Sequence, residues 1–127
     1  MTDFIYQFKI DERVCDDLIE YHKNKNEYKS PGLLGQGEQD KTRKDSVDCR
    51  FFPGSSDPAV VNYFKQLQFG FDNYLKIYDH LSGCSMWVKD GTNIQYYPPG
   101  GGYHAWHFER QTNVYPMGSR ALVFMTY

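Results

Sequence analysis

No run of apolar residues approaches the roughly 20 that a bilayer-crossing helix needs, and the first nine residues lack the basic-then-apolar order of a secretory leader. Charge of one sign is not in excess either. The 14 Lys and Arg against 16 Asp and Glu leave a formal charge of -2, without the basic surplus that nucleic acids or acidic membranes demand of a partner. Cysteine is scarce. Cys15, Cys49 and Cys84, three in all, are odd in number and widely spaced, which fits reduced thiols better than a disulfide framework. No C-x-x-C pair offers a zinc site. From these absences a soluble, cytoplasmic chain with no nucleic-acid or membrane partner is expected.

What the chain does have is core-forming material: 127 residues, 40% hydrophobic and 17% aromatic, enough for one packed domain. Asp11 precedes Val14, Leu18 and Tyr21 at helical spacing, with acids early and Lys23 and Lys25 late as a helix dipole prefers, so a short surface helix is expected there. Residues 24–46 are polar and broken by Pro31, Gly32, Gly35 and Gly37. They read as a loop that adds little core and is a candidate lid. From Asp57 as N-cap and Pro58 at the first helical position, Val61, Phe64, Leu67, Phe71, Leu75 and Tyr78 predict a long helix. Gly70 inside it costs about 1 kcal/mol against Ala and so points to a close packing contact.

After Gly83 the pattern changes to short segments rich in aromatic and β-branched residues, 84–89, 94–97, 103–109 and 120–127, separated by Gly, Pro and Asn. These read as strands, with a hairpin at Asp90-Gly91 and a turn at Pro98-Pro99-Gly100-Gly101-Gly102. A helices-then-strands order follows. The last segment is nearly all apolar and expects burial on both faces; as an unfinished edge, residues 121–127 are also a site for strand pairing with another chain.

The chemistry-bearing pattern is His107-Phe108-Glu109. In a strand, residues two apart share a face, so His107 and Glu109 can reach one ion while Trp106 and Phe108 pack in the core. A neutral imidazole and a carboxylate are two of the three ligands of a 2-His-1-carboxylate site, which leaves positions open for co-substrate and oxygen. His104 lies an odd number of residues from His107 and falls on the other face. The histidines sit among three glycines and two prolines, which argues against the single helix face that an H-E-x-x-H zinc site needs. Tyr96 and Trp106 are expected as core or pocket-wall aromatics, Cys49 and Cys84 as buried thiols, His22 and His80 as solvated, and Arg110 and Arg120 as charges free to salt-bridge or to meet an anionic substrate.

Residues 94–109, a tyrosine-bearing strand, a glycine turn and a strand ending in the H-x-E pair, resemble the prolyl 4-hydroxylase-type 2-oxoglutarate/Fe(II) oxygenases, including phage-type members. The resemblance covers the N-terminal portion of such a catalytic domain, with its diagnostic part at residues 93–127; Lys44-Asp45-Ser46 also resembles the charged-then-serine segment before the family's long helix. It implies an α+β fold with N-terminal helices (residues 1–83, with the loop) packed on a double-stranded β-helix of jelly-roll or cupin kind, of which residues 84–127 supply the first strands. It further implies Fe(II) held by His107 and Glu109, 2-oxoglutarate bonded by Tyr97, ascorbate as a further reductant, and Tyr103 at the border of the substrate pocket. The reaction implied is hydroxylation of carbon in a prolyl or other peptidyl residue, or in a small molecule. The carboxylate is Glu where the family commonly has Asp, so its longer arm must fold back toward the metal. The family's distal histidine and its basic residue for 2-oxoglutarate would lie beyond Tyr127, which implies little or no turnover by residues 1–127 alone. A binding or structural β-sandwich in which His107 and Glu109 merely pair is the alternative from another class, and a cupin-type metal enzyme without 2-oxoglutarate is a third.

Overall fold

Two helices and a three-stranded sheet alternate along the chain in a computed structural model that describes residues 3–86, 88, 91–110 and 112–127, with the backbone alone at Gln36. The order is α1 (Glu12–Asn24), β1 (Lys29–Pro31), β2 (Val47–Phe51), α2 (Pro58–Ile77) and β3 (Thr92–Tyr96). The strands are ordered β1-β2-β3, and β1 runs antiparallel to β2 with Ser30 opposite Asp48. The chain divides into two compact units, the first running to Tyr28 and including Arg50–Ile94, the second comprising Lys29–Cys49 and Gln95–Tyr127. Among the described residues no helix is long and apolar enough to cross a membrane.

The first unit holds both helices, and each starts where its capping chemistry says it should. Asp11 caps α1 by accepting from Arg13 N, and Asp57 caps α2 by accepting from Ala59 N at 3.1 Å, with Pro58 in the first turn. Val14, Leu18 and Tyr21 are the buried face of α1, as their spacing predicts. On α2 the face is turned by one residue: Ala59, Val60, Tyr63 and Gly70 are buried, whereas Val61, Phe64, Leu67, Phe71 and Leu75 are half-buried. The reason is small and aromatic packing. Phe51 sits edge-on to Tyr21, Tyr63 and Phe64 with ring centroids 6.2, 5.9 and 5.7 Å away, the geometry that ring quadrupoles favour. Gly70 faces the ring of Phe8, and a Cβ there would collide with it, which is the close contact anticipated for that glycine. The same N-terminal segment is held further along α2, where Tyr74 and Tyr78 donate hydroxyls to the carbonyls of Phe4 (3.3 Å) and Ile5 (3.4 Å).

In the second unit the expectations fare less well. Residues 24–46 are not a plain loop: they contain β1, and Leu34 and Lys44 within them are buried. Gly32 donates its N–H to Ser46 O at 2.9 Å, and a side chain in its place would strike Ser46 Oγ. β1 and β2 therefore precede α2, and the helices-then-strands order does not hold. The expected strand at 94–97 is β3, and the glycine turn is present, closed by Gly101 N donating to Pro98 O at 2.7 Å with Gly100 at a φ of +82° that only glycine adopts at low cost. The strand at 84–89 and the Asp90-Gly91 hairpin include Trp87, Lys89 and Asp90, which lie outside the described residues.

Residues 103–109 and 120–127 form no strand ladder. Tyr103 makes one isolated bridge with Lys44, and the chain then bends at Ala105 and Glu109. Trp106 and Phe108, expected in the core, are exposed, as are Tyr96 and the apolar residues 122–125. β-propensity expresses fit to a pleated, half-buried surface, and these side chains meet no such surface here. Cys49 is fully buried, but Cys84 is exposed.

Candidate functional site

All four site residues expected from sequence lie in the second unit, and three of them, Tyr103, His107 and Glu109, are in contact in turn. The two backbone hydrogen bonds Asp45 N to Gly102 O (2.9 Å) and His104 N to Arg43 O (2.7 Å) clamp residues 102–104 along 43–45. This fixes Tyr103, whose ring stacks on the imidazole of His107 with centroids 4.1 Å apart and planes 7° from parallel. His107 Nε2 stands 3.6 Å from Glu109 Oε1. The pair is thus brought together by a bent backbone, where sequence spacing predicted adjacent pleats of a strand.

The imidazole has a defined orientation. His107 Nδ1 lies 3.0 Å from Ala105 O, and since a carbonyl can only accept, Nδ1 carries the proton and Nε2 presents a lone pair when the ring is neutral. A lone pair and a carboxylate oxygen then face each other, an arrangement that attracts a cation between them. Two donors each about 2.1 Å from one ion at angles between cis-octahedral and tetrahedral stand about 3.0 to 3.4 Å apart. The observed separation is within a small side-chain adjustment of that, so the two residues fit two coordination positions. Anchoring of the remote nitrogen by a carbonyl is also how metal-binding histidines are held. Among the described residues no group of three or more His, Cys, Asp or Glu side chains is placed to hold a metal.

Tyr97 is half-buried and donates its hydroxyl to Gln95 Oε1 at 3.2 Å. Burial raises its phenol above the ordinary value, and negative charge on Asp48, Tyr103 and Tyr127 adds to the shift, so it is a neutral donor across the physiological range. His104 is exposed, as are His80, which lies 3.7 Å from Asp79, and Arg110.

A buried polar network behind Tyr103 escaped the sequence reading. Lys44 Nζ bonds Asp48 Oδ2 at 2.7 Å, Ser46 Oγ donates to Asp48 Oδ1 at 2.7 Å and Gln95 Nε2 to Oδ2 at 3.3 Å. Lys44 Nζ also lies 5.2 Å from the centre of the Tyr103 ring, within cation–π range. The signal that could have found it is period two: Lys44, Ser46 and Asp48 alternate with more exposed neighbours, as one face of an extended segment does. Arg120, read as a charge free to pair, does so with Glu109, as its Nη1 stands 2.8 Å from the backbone oxygen and 3.4 Å from Oε2.

Compared with protein-family models, with curated proteins and with solved structures, the chain finds no match.

Proposed function

We propose that His107 and Glu109 are two iron ligands of a 2-oxoglutarate-dependent Fe(II) dioxygenase resembling prolyl 4-hydroxylases, on a fold of double-stranded β-helix type. The observation that carries the reading is the facing of His107 Nε2 and Glu109 Oε1 at 3.6 Å, with Nδ1 anchored on Ala105 O. When bound, iron with 2-oxoglutarate supplies the oxygen activation needed to hydroxylate carbon. The chain's own residues do the rest. Tyr103 holds the imidazole plane by stacking and borders the substrate, which in this reading is a prolyl or other peptidyl residue or a small molecule. Tyr97, a neutral donor, exchanges its bond to Gln95 for one to a co-substrate carboxylate.

Calorimetry of Fe(II) or Mn(II) binding, with and without 2-oxoglutarate, on this chain and on His107→Ala tests the proposal. Binding that tightens with 2-oxoglutarate and disappears in the variant is the expected result. No binding to either protein sinks it. A second reading has one observation in its favour: Arg120 already neutralises Glu109, so His107, Glu109 and Arg120 form a surface ion-pair network in a non-catalytic module. That reading requires that neither metal ion binds and that His107→Ala alters stability by no more than about 1 kcal/mol.

A further inference from the structure

We propose that Arg120 is a positioning residue that folds the arm of Glu109 back on itself and so presents a single carboxylate oxygen beside His107. The inference rests on the reading of His107 and Glu109 as metal ligands. Glutamate reaches one methylene farther than aspartate and loses more rotamer freedom when held, so a glutamate next to a histidine ligand needs something to fold it. Arg120 Nη1 supplies that: it touches the backbone oxygen of Glu109 at 2.8 Å and lies 3.4 Å from the Oε2 of the same residue. One nitrogen thus closes the side chain over its own backbone. With Oε2 engaged, Oε1 is the oxygen that stands 3.6 Å from His107 Nε2, and the carboxylate is offered to an ion through one oxygen only.

The backbone that carries Arg120 is itself held in place. Arg120 follows the short 3-10 turn Met117–Ser119 and donates its N–H to Met117 O at 3.3 Å. That turn is tied back by Gly118 N donating to Val114 O at 2.8 Å, and a Cβ on Gly118 would press on the Asn113 backbone at 2.6 Å. Arg120 therefore reaches Glu109 from an ordered turn, and its Nη1 stands at the end of an arm longer than that of lysine.

A positioning role and a merely competing charge make opposite predictions, because a cation beside the site repels a metal ion. If Arg120 only competes, removing it strengthens metal binding; if it positions, removing it weakens binding despite the lost repulsion. The test is Mn(II) binding followed by the paramagnetic resonance of the free ion, on the unsubstituted chain, Arg120→Met, Arg120→Lys, Glu109→Asp and the double variant Glu109→Asp/Arg120→Met. Arg120→Met is expected to weaken Mn(II) binding roughly tenfold, the lower end of what loss of a supporting group costs a metal site. Arg120→Lys, which keeps the charge but carries it on a shorter arm, weakens it as well and serves where Met disturbs the turn. In the Glu109→Asp background, where no arm needs folding, Arg120→Met leaves binding unchanged or stronger. Unchanged or tighter binding in Arg120→Met with Glu109 in place overturns the positioning role while leaving the metal pair standing. Absence of Mn(II) binding to the unsubstituted chain overturns the metal pair and this inference with it.

Discussion

Lys44 lies in a stretch whose proline and glycines read as loop, yet its side chain is only 5% exposed and its ammonium is spent on Asp48 and the Tyr103 ring. Composition could not reveal this, because a buried charge depends on partners supplied by other segments: here Asp48, Ser46 and Gln95 complete the lone pairs and protons that burial would otherwise strand. Breaking such a pair by removing one partner costs about 3–5 kcal/mol, whereas replacing both by apolar groups is close to neutral. Lys44→Met is therefore expected to destabilise the chain by about that amount in urea titrations, and Lys44→Met/Asp48→Leu to recover part of it, since the buried Ser46 hydroxyl loses its acceptor. If the single variant unfolds at the same urea concentration as the unsubstituted chain, the network is ornamental. The geometry at the proposed site was legible to a similar, partial degree. His107 and Glu109 could be named from their spacing, and they do face one another, but through bends at Ala105 and Glu109 that no alternation pattern encodes. Their neighbours Trp106 and Phe108 were assigned to a core because a strand was assumed, and they are exposed because none is there.

At the level of elements, helices were readable and strands mostly were not. A helix carries its own hydrogen bonds and its caps, so Asp11 and Asp57 marked α1 and α2 locally. A strand exists only through its ladder. β2, with Asp48, Cys49 and Phe51 buried, is paired to a three-residue β1 that ends in proline, and no local signal announces such a partner. Even in α2 the buried face depends on tertiary contacts: Gly70 is buried because Phe8 lies on it. Gly70→Ala gains about 1 kcal/mol of helix propensity but must displace that ring, and overpacking costs about 1–3 kcal/mol, so a net loss of stability is expected. In a Phe8→Ala background the obstruction is gone, and the same substitution should stabilise by about 1 kcal/mol. Urea midpoints for the four proteins of this cycle measure the coupling. A Gly70→Ala effect of the same sign in both backgrounds would show that the Phe8 ring does not govern this position.

The whole molecule carries a pH dependence to which both units contribute. Tyr78 in the first unit is raised above the ordinary phenol value by burial and by the charge on Asp3 and Tyr74, and Tyr97 in the second by burial and by Asp48, Tyr103 and Tyr127. A phenol that ionises later in the folded chain than in the unfolded one favours the fold while it is protonated. Its contribution is complete below the unfolded value of about 10 and is lost as pH rises through the higher folded values. Stability measured by urea titration should accordingly fall above pH about 10, each phenol adding at most one proton to the slope. Tyr78→Phe and Tyr97→Phe keep most of the apolar contact and remove the titration, so each should flatten part of that fall and the double variant more than either. Should the double variant lose stability with pH as steeply as the unsubstituted chain, the phenols are not the cause. The same shift bears on the site, because a Tyr97 that stays neutral well above physiological pH is a hydrogen-bond donor wherever the proposed co-substrate would bind. Binding that needs this donor should then persist up to the alkaline limb and fail as Tyr97 ionises, the same event that removes its share of the stability.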